Sequence, residues 1–137
     1  MFEYVQEIRI LYSDTDAYGV VWHGAYTKWF EAARVEFTEA LGLDVKILEQ
    51  SIVFPVIEMN IKYKSSAKLN DKILIKTTLK ELKPMAMTFE HKVYDKSTNI
   101  LRTEAFTTIA CVEPTTGKLI RRMPSEIFEK FQTALNN

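Results

Sequence analysis

Residues 25–42 read AYTKWFEAARVEFTEALG. Tyr26, Phe30, Ala33, Phe37 and Leu41 follow one another at steps of three or four, the spacing of one helical face. Trp29 and Ala40 widen that stripe, while Lys28, Glu31, Glu36 and Glu39 lie mostly off it. Gly42 is a natural stop, because a residue without a Cβ adopts the left-handed turn that ends helices. So broad an apolar face predicts a long helix half-wrapped by something else, as if it were the filling of the fold.

The flanks say what wraps it. Residues 4–12, YVQEIRILY, are rich in β-formers and alternate in part, which predicts a strand leading into the helix. After a connector through Glu49 the period becomes two. In FPVIEMNIKYK (54–64), Ile57, Met59, Ile61 and Tyr63 share one face and Glu58, Asn60, Lys62 and Lys64 the other. KSSAKLND (64–71) reads as a turn. KILIKTTLKEL (72–82) then places Ile73, Ile75, Thr77 and Leu79 together. MAMTFEHKVYD (85–95) does the same with Met87, Phe89, His91 and Val93. DKSTN (95–99) is a hairpin loop, and ILRTEAFTTIACVEP (100–114) is expected to be the longest strand, apolar on both faces and therefore central. PTTGK turns the chain once more, and Ser125 is placed to cap a short helix with Ile127, Phe128, Phe131 and Leu135 on its apolar face. Strand, long helix, four strands and short helix imply an α+β domain, with a largely antiparallel sheet packed on one helix. Apolar residues on both faces of the last strand point to oligomerisation.

Composition narrows the function. The 137 residues suit one domain with one core, and 47% hydrophobic and 12% aromatic content fills it. Lys plus Arg and Asp plus Glu are both 18, so no net field favours nucleic acid. The single cysteine, Cys111, rules out a disulfide within the chain and fits a reducing cytosol. Flanked by TTIA and VEP, it reads as a small core residue. The opening MFEYVQEIRI carries acidic residues and no long apolar run, unlike a signal peptide or an anchor. His23 and His91 stand far apart with no cysteine pair, so no metal site is expected. His91 shares its face with apolar neighbours and is expected to be packed or at a subunit interface. Serine-hydrolase, phosphate-loop and dinucleotide signatures are missing from the sequence.

The chemistry concentrates in residues 12–26, YSDTDAYGVVWHGAY. The first turn of a helix has N–H groups with no internal acceptor, usually met by Ser, Thr, Asp or Asn at the cap. Here the candidate caps are Trp22, His23 and Gly24, and none offers such a side chain. The free donors and the positive end of the helix dipole suit a carbonyl oxygen that gains charge during reaction. Water, or Gly24 acting as the cap, is the competing explanation. Asp14 reads as a turn residue bonding its own backbone. Asp16 precedes a tight bend, AYG, that can bring its carboxylate toward the helix start, where it would act as nucleophile or general base. A capping or ion-pairing role is its alternative. His23 and Tyr12 can assist from the helix entry and the preceding strand; ordinary surface or strand packing is the alternative for each.

The stretch YSDTDAYGVVWHGAYTKWFEAARVEF resembles the signature of the 4-hydroxybenzoyl-CoA thioesterase family of hotdog-fold proteins, and is most similar to its Tol–Pal-associated acyl-CoA thioesterase branch. The match rests on Tyr12, Asp14, Thr15, Asp16, Gly19, Val20, Val21, Trp22, His23, Tyr26, Glu31, Ala33 and Arg34. It implies a hotdog fold over residues 1–137, an antiparallel sheet wrapped around one central helix. It implies hydrolysis of small acyl-CoA thioesters in the cytoplasm, without a cofactor or metal. Asp16 would be the catalytic carboxylate, assisted by His23 and Tyr12, with the His23 N–H polarising the carbonyl. Gly24, Trp22 and Lys83 would bind substrate, Lys83 through the CoA phosphates, with Lys62, Lys64 and Lys68 as further candidates. The family assembles as a dimer, often paired into a tetramer, with active sites at the subunit interface. Tyr18 and Pro84 depart from the family's small or flexible residues. The rivals are an acyl carrier protein thioesterase, a hotdog protein that binds acyl-CoA or a protein without turnover, and, less well matched, a hotdog dehydratase.

Overall fold

The computed structural model describes residues 1–136. Strand β1 (Glu3–Arg9) leads through a 3₁₀ turn at Tyr12–Asp14 to helix α1 (His23–Ala40). A one-turn helix α2 (Val45–Leu48) follows, then β2 (Val56–Tyr63), β3 (Lys72–Lys83), β4 (Ala86–Asp95), β5 (Leu101–Ala110) and helix α3 (Ser125–Asn136). The five strands form one antiparallel sheet in the order β1-β3-β4-β5-β2. The expected α+β order is therefore present, with a short helix inside the connector, where Asp44 caps the N–H groups of Lys46 and Ile47.

The period-two reading of β3 and β4 holds: Ile73, Ile75, Thr77 and Leu79 are buried, as are Met87, Phe89, His91 and Val93. Two expectations about β5 change. It stops at Ala110 because Cys111 turns away to accept the N–H of Ile120, and β3, at 12 residues, is longer. Nor is it central: Thr103, Ala105, Thr107 and Ile109 lie under the helix, but its other face is only half-covered and the middle strand is β4. Strand β2 is an edge, so Val56, Ile57 and Tyr63 stay exposed.

Helix α1 lies across the buried face. Phe30 stacks on His91 with ring centroids 4.5 Å apart, and Phe37 meets Phe89 edge-on at 5.2 Å. Around Phe30 gather Ile10, Tyr26, Ile73, Ile75, Val93 and Ala105. Around Phe37 gather Leu79, Met87, Ile109, Cys111 and, from α3, Ile127 and Phe131. The helix ends as its sequence predicts, with Gly42 at φ +88° donating to Glu39. Helix α3 differs slightly: Pro124 accepts the first-turn N–H groups of Ile127 and Phe128, and Ser125 is already helical. Cys111 is fully buried, and burial pushes its thiol up to about 11. Phe37→Ala removes a buried ring between Phe2 and Phe89 and is expected to cost about 3–5 kcal/mol, read from urea unfolding.

Candidate active site

The chain between β1 and α1 folds back as a tight hairpin. Thr15 pairs with Val21, the Asp16 N–H donates to Val20 O at 2.9 Å, and the Trp22 N–H donates to Asp14 O at 3.1 Å. Gly19, at φ +77°, makes the reversal, a conformation that costs other residues more. This hairpin is anchored to the loop between β2 and β3 through Val21 N–H to Ala67 O at 3.0 Å and a bridge between Val20 and Lys68. The motif is thereby delivered to the start of α1.

The helix start is uncapped by any side chain. Trp22 sits at the cap position in extended conformation, and its carbonyl accepts from Ala25. Among the described residues the N–H groups of His23 and Gly24 meet no acceptor. The Trp22 indole lies directly against Gly24, so that a Cβ at position 24 would collide with the ring. It also meets the His23 ring edge-on at 5.6 Å. His23 is exposed, as is Tyr12 on its 3₁₀ turn.

Asp14 and Asp16 both bond the backbone of their own turn, and for Asp16 this is the capping role named as its alternative. Asp14 Oδ2 accepts the Leu11 N–H at 2.9 Å, which closes the 3₁₀ turn. Asp16 is exposed, and its Oδ1 accepts the Tyr18 N–H at 2.8 Å and the Val20 N–H at 3.4 Å. That carboxylate is oriented by its own hairpin, while Oδ2 meets no donor among the described residues. Asp16, His23, Trp22, Gly24 and Tyr12 thus belong to one continuous hairpin and helix start. Lys83 does not join them within the protomer. It ends β3, ten residues beyond Ile73, whose side chain packs with Tyr26 near the helix start; that separation is roughly 33 Å along a strand. Its ammonium pairs with Glu81 at 3.1 Å. Lys68, by contrast, stands beside the motif.

A cavity of about 430 Å³ opens along one side of α1, lined by Thr27, Glu31, Arg34 and Thr38 on the helix and by Phe54 and Met59 opposite. Its near end is one turn from the free N–H groups, since the Thr27 hydroxyl donates to His23 O at 3.3 Å. Arg34 is partly buried, its Nη1 has neither accessible surface nor a partner, and burial pushes the guanidinium below its ordinary value while the Glu31 charge pulls it back. Beneath the helix His91 is fully buried, with Nδ1 2.9 Å from the Thr77 hydroxyl and Nε2 unpartnered. Burial, and secondarily the Arg34 charge, push His91 down to about 3, so it is neutral. Arg34 enters the sequence reading only as a motif letter, and Glu31 also as a charge off the apolar stripe. Their one visible signal is that they sit beside, rather than opposite, the apolar stripe. Of the cavity wall, Val45 to Glu49 reads in sequence as a mere connector, while Phe54 to Val56 belong to the stretch read as a strand.

The model of the thioesterase-like superfamily matches residues 10–131. The acyl-CoA thioesterase YbgC of Haemophilus influenzae is 34% identical over 108 residues, which are 77% of this chain and 78% of that protein. Among solved structures, the hypothetical protein TT1821 of Thermus thermophilus superposes with a TM-score of 0.87 at 30% identity, over 97% of this chain and 98% of that one. The DHNA-CoA thioesterase of Staphylococcus aureus gives a TM-score of 0.86 at 29% identity, over 97% and 93% of the two chains.

Proposed function

Since the chain belongs to the thioesterase-like superfamily and has its hotdog fold, we propose that it is an acyl-CoA thioesterase, converting an acyl-CoA and water to a free acid and CoA. The observation that carries this reading is the start of α1, where the His23 and Gly24 N–H groups face no acceptor and no side chain caps the helix. A thioester oxygen seated there would gain charge at the positive end of the helix dipole; one such donor contributes about 3 kcal/mol to the transition state. Asp16 supplies the carboxylate, through Oδ2, while Oδ1 remains tied to the hairpin. It either attacks the acyl carbon, forming an anhydride that water then opens, or takes a proton from the attacking water. In both routes the thiolate of CoA leaves and is protonated. His23 assists from the first turn of α1 and Tyr12 from the 3₁₀ turn, and Trp22 and Gly24 shape the approach to the carbonyl.

Lys83 can serve the CoA phosphates only across a protomer boundary, which supports a homodimer with its active sites at the interface, and a homotetramer built from two such dimers. The exposed edge β2, with Val56, Ile57 and Tyr63 uncovered, supports the same reading. Residues 1–137 act as one domain in this proposal, Asn137 lying outside the described residues. Among the described residues no helix is long and apolar enough to cross a membrane, and a cytoplasmic location is part of the proposal.

A thiol-release assay over a panel of acyl-CoA esters tests the activity: release of CoA with turnover is expected, and tight binding without release would overturn the reading. Gly24→Ala tests the helix tip. The added methyl displaces the Trp22 ring, so tryptophan emission should shift and kcat/KM fall by about 10²-fold, with circular dichroism unchanged. Unaltered kinetics would show that the tip takes no part.

A further inference from the structure

The hairpin that carries Asp16 rests on the chain between β2 and β3, and Arg102 on β5 grips that chain at its near end. The Arg102 carbonyl accepts the N–H groups of Lys64 at 2.9 Å and Ser65 at 3.1 Å. Its guanidinium reaches the same place, Nη1 donating to Ser65 Oγ at 3.0 Å. The other branch of the fork, Nη2, donates to Asp95 Oδ2 at 3.3 Å. Asp95 is itself fixed, because Oδ1 accepts the Ser97 and Thr98 N–H groups at 2.9 and 3.0 Å. Those bonds, the Thr98 N–H above all, hold its carboxyl below the ordinary value and keep it charged at neutral pH. The pair is also the shielded one of the three ion pairs among the described residues. Its side chains are 20% and 9% exposed, against 66% and 55% for Lys83 with Glu81 and 46% and 44% for Lys96 with Glu7. A pair withdrawn from solvent is screened less than an exposed one and holds its geometry better.

From Ser65 the path to the motif is short. Two residues on, Ala67 O accepts the Val21 N–H at 3.0 Å, and Lys68 bridges to Val20. Val20 O in turn accepts the Asp16 N–H at 2.9 Å, and the Val20 N–H donates to Asp16 Oδ1 at 3.4 Å. The far end of the same chain is tied elsewhere: the Asn70 N–H donates to Ile10 O at 2.9 Å, and Asp71 Oδ2 accepts the Lys68 N–H at 2.9 Å. We infer, resting on the thioesterase reading above, that Arg102 is a positioning residue: by clamping Ser65 against Asp95 it fixes the Ala67 carbonyl, and so holds the Asp16 hairpin in register with the start of α1. A planar fork suits this task, since it bonds two partners in a fixed relation, which an ammonium does not. Arg102 touches no reacting atom in this scheme. Ala67 keeps its methyl in the core around Phe30 in any case, so loss of the clamp loosens a carbonyl and leaves the loop folded.

Ser65→Ala breaks the clamp at the loop and spares the Arg102–Asp95 pair, so it separates positioning from stability. Hydrogen exchange on the full chain should show the Val21 amide exchanging about 10-fold faster, with Phe89 in the middle strand unchanged. The same protein should lose about 10-fold in kcat with KM within about twofold, the scale of a slightly misplaced catalytic group. Arg102→Lys, which keeps a charge opposite Asp95 without the fork, should match it in both readouts. In an Asp16→Asn background Ser65→Ala should change the residual rate by less than about twofold, because no carboxylate is left to place. Unchanged Val21 exchange in both variants would overturn the inference. So would full kcat in a Ser65→Ala protein that turns over, or an equal kinetic loss in the Asp16→Asn background, the mark of a general loss of structure. Exchange is read without substrate. A protein that turns over no acyl-CoA while Val21 still responds therefore overturns the activity and leaves the clamp in place.

Discussion

Asp16→Asn is expected to lower kcat by about 10²–10⁴-fold while unfolding remains as in the unaltered protein. The choice of asparagine follows from the hairpin. Asp16 Oδ1 accepts the N–H groups of Tyr18 and Val20, and an amide oxygen can accept both. The substitution therefore removes the charge and the nucleophile but keeps the loop. Asp16→Ala would be less informative, because it also deletes those acceptors, at about 1 kcal/mol for each bond. Should Asp16→Asn turn over near the normal rate, the carboxylate would have no chemical role, and its two backbone bonds would be its whole function. If the loss is seen, single-turnover hydrolysis in oxygen-18 water bears on the route, since label entering Asp16 itself excludes a carboxylate that only activates water.

The second large effect concerns stability. His91 is buried against Phe30 and Phe89 and is held neutral, with a folded-state value of about 3 against 6.5 for the free group. The unfolded chain therefore binds a proton that the folded chain refuses. Stability falls as pH drops below about 6.5 and keeps falling until about 3, below which both states are protonated. Between pH 7 and pH 4 that difference amounts to about 3 kcal/mol. Carboxylates titrate in the lower part of the same window, so the contribution is isolated by comparison with His91→Gln, which cannot take up the proton. Urea unfolding should show the two proteins converging, or crossing, as the solution is acidified. Parallel curves would mean that the ring is solvated on a timescale that lets it titrate in place.

Much of this fold is legible in the sequence because two periodicities are clean. Tyr26 to Leu41 repeats at helical spacing and Ile73 to Val93 at strand spacing, and each pattern has one buried face to satisfy. Where burial differs from that arrangement the sequence misleads. The run from Leu101 to Cys111 is apolar on both faces, yet its outer face is only half-covered in the isolated protomer. Strand β2 has a well-formed apolar face, but as the edge it leaves Ile57 and Tyr63 exposed. The site divides in the same way. That Asp16, His23 and Gly24 share one turn and one uncapped helix start is legible, because both are local features of eleven or so consecutive residues. Lys83 and the cavity wall were not placed, because their position depends on which end of a long strand meets which helix, and spacing within one segment carries no such information. Arg34 was hidden for a different reason: a charge at the margin of an apolar stripe looks solvated until the opposite wall is known.

The buried Cys111 has a practical consequence. Its thiol is enclosed by the core around Phe37 and is barely ionised at neutral pH. A colorimetric disulfide reagent added to intact enzyme would thus find no protein sulfur to consume, and every equivalent it reports belongs to liberated coenzyme. Slow colour in a substrate-free cuvette would then be a clock for global opening, so a single reagent can read both turnover and integrity.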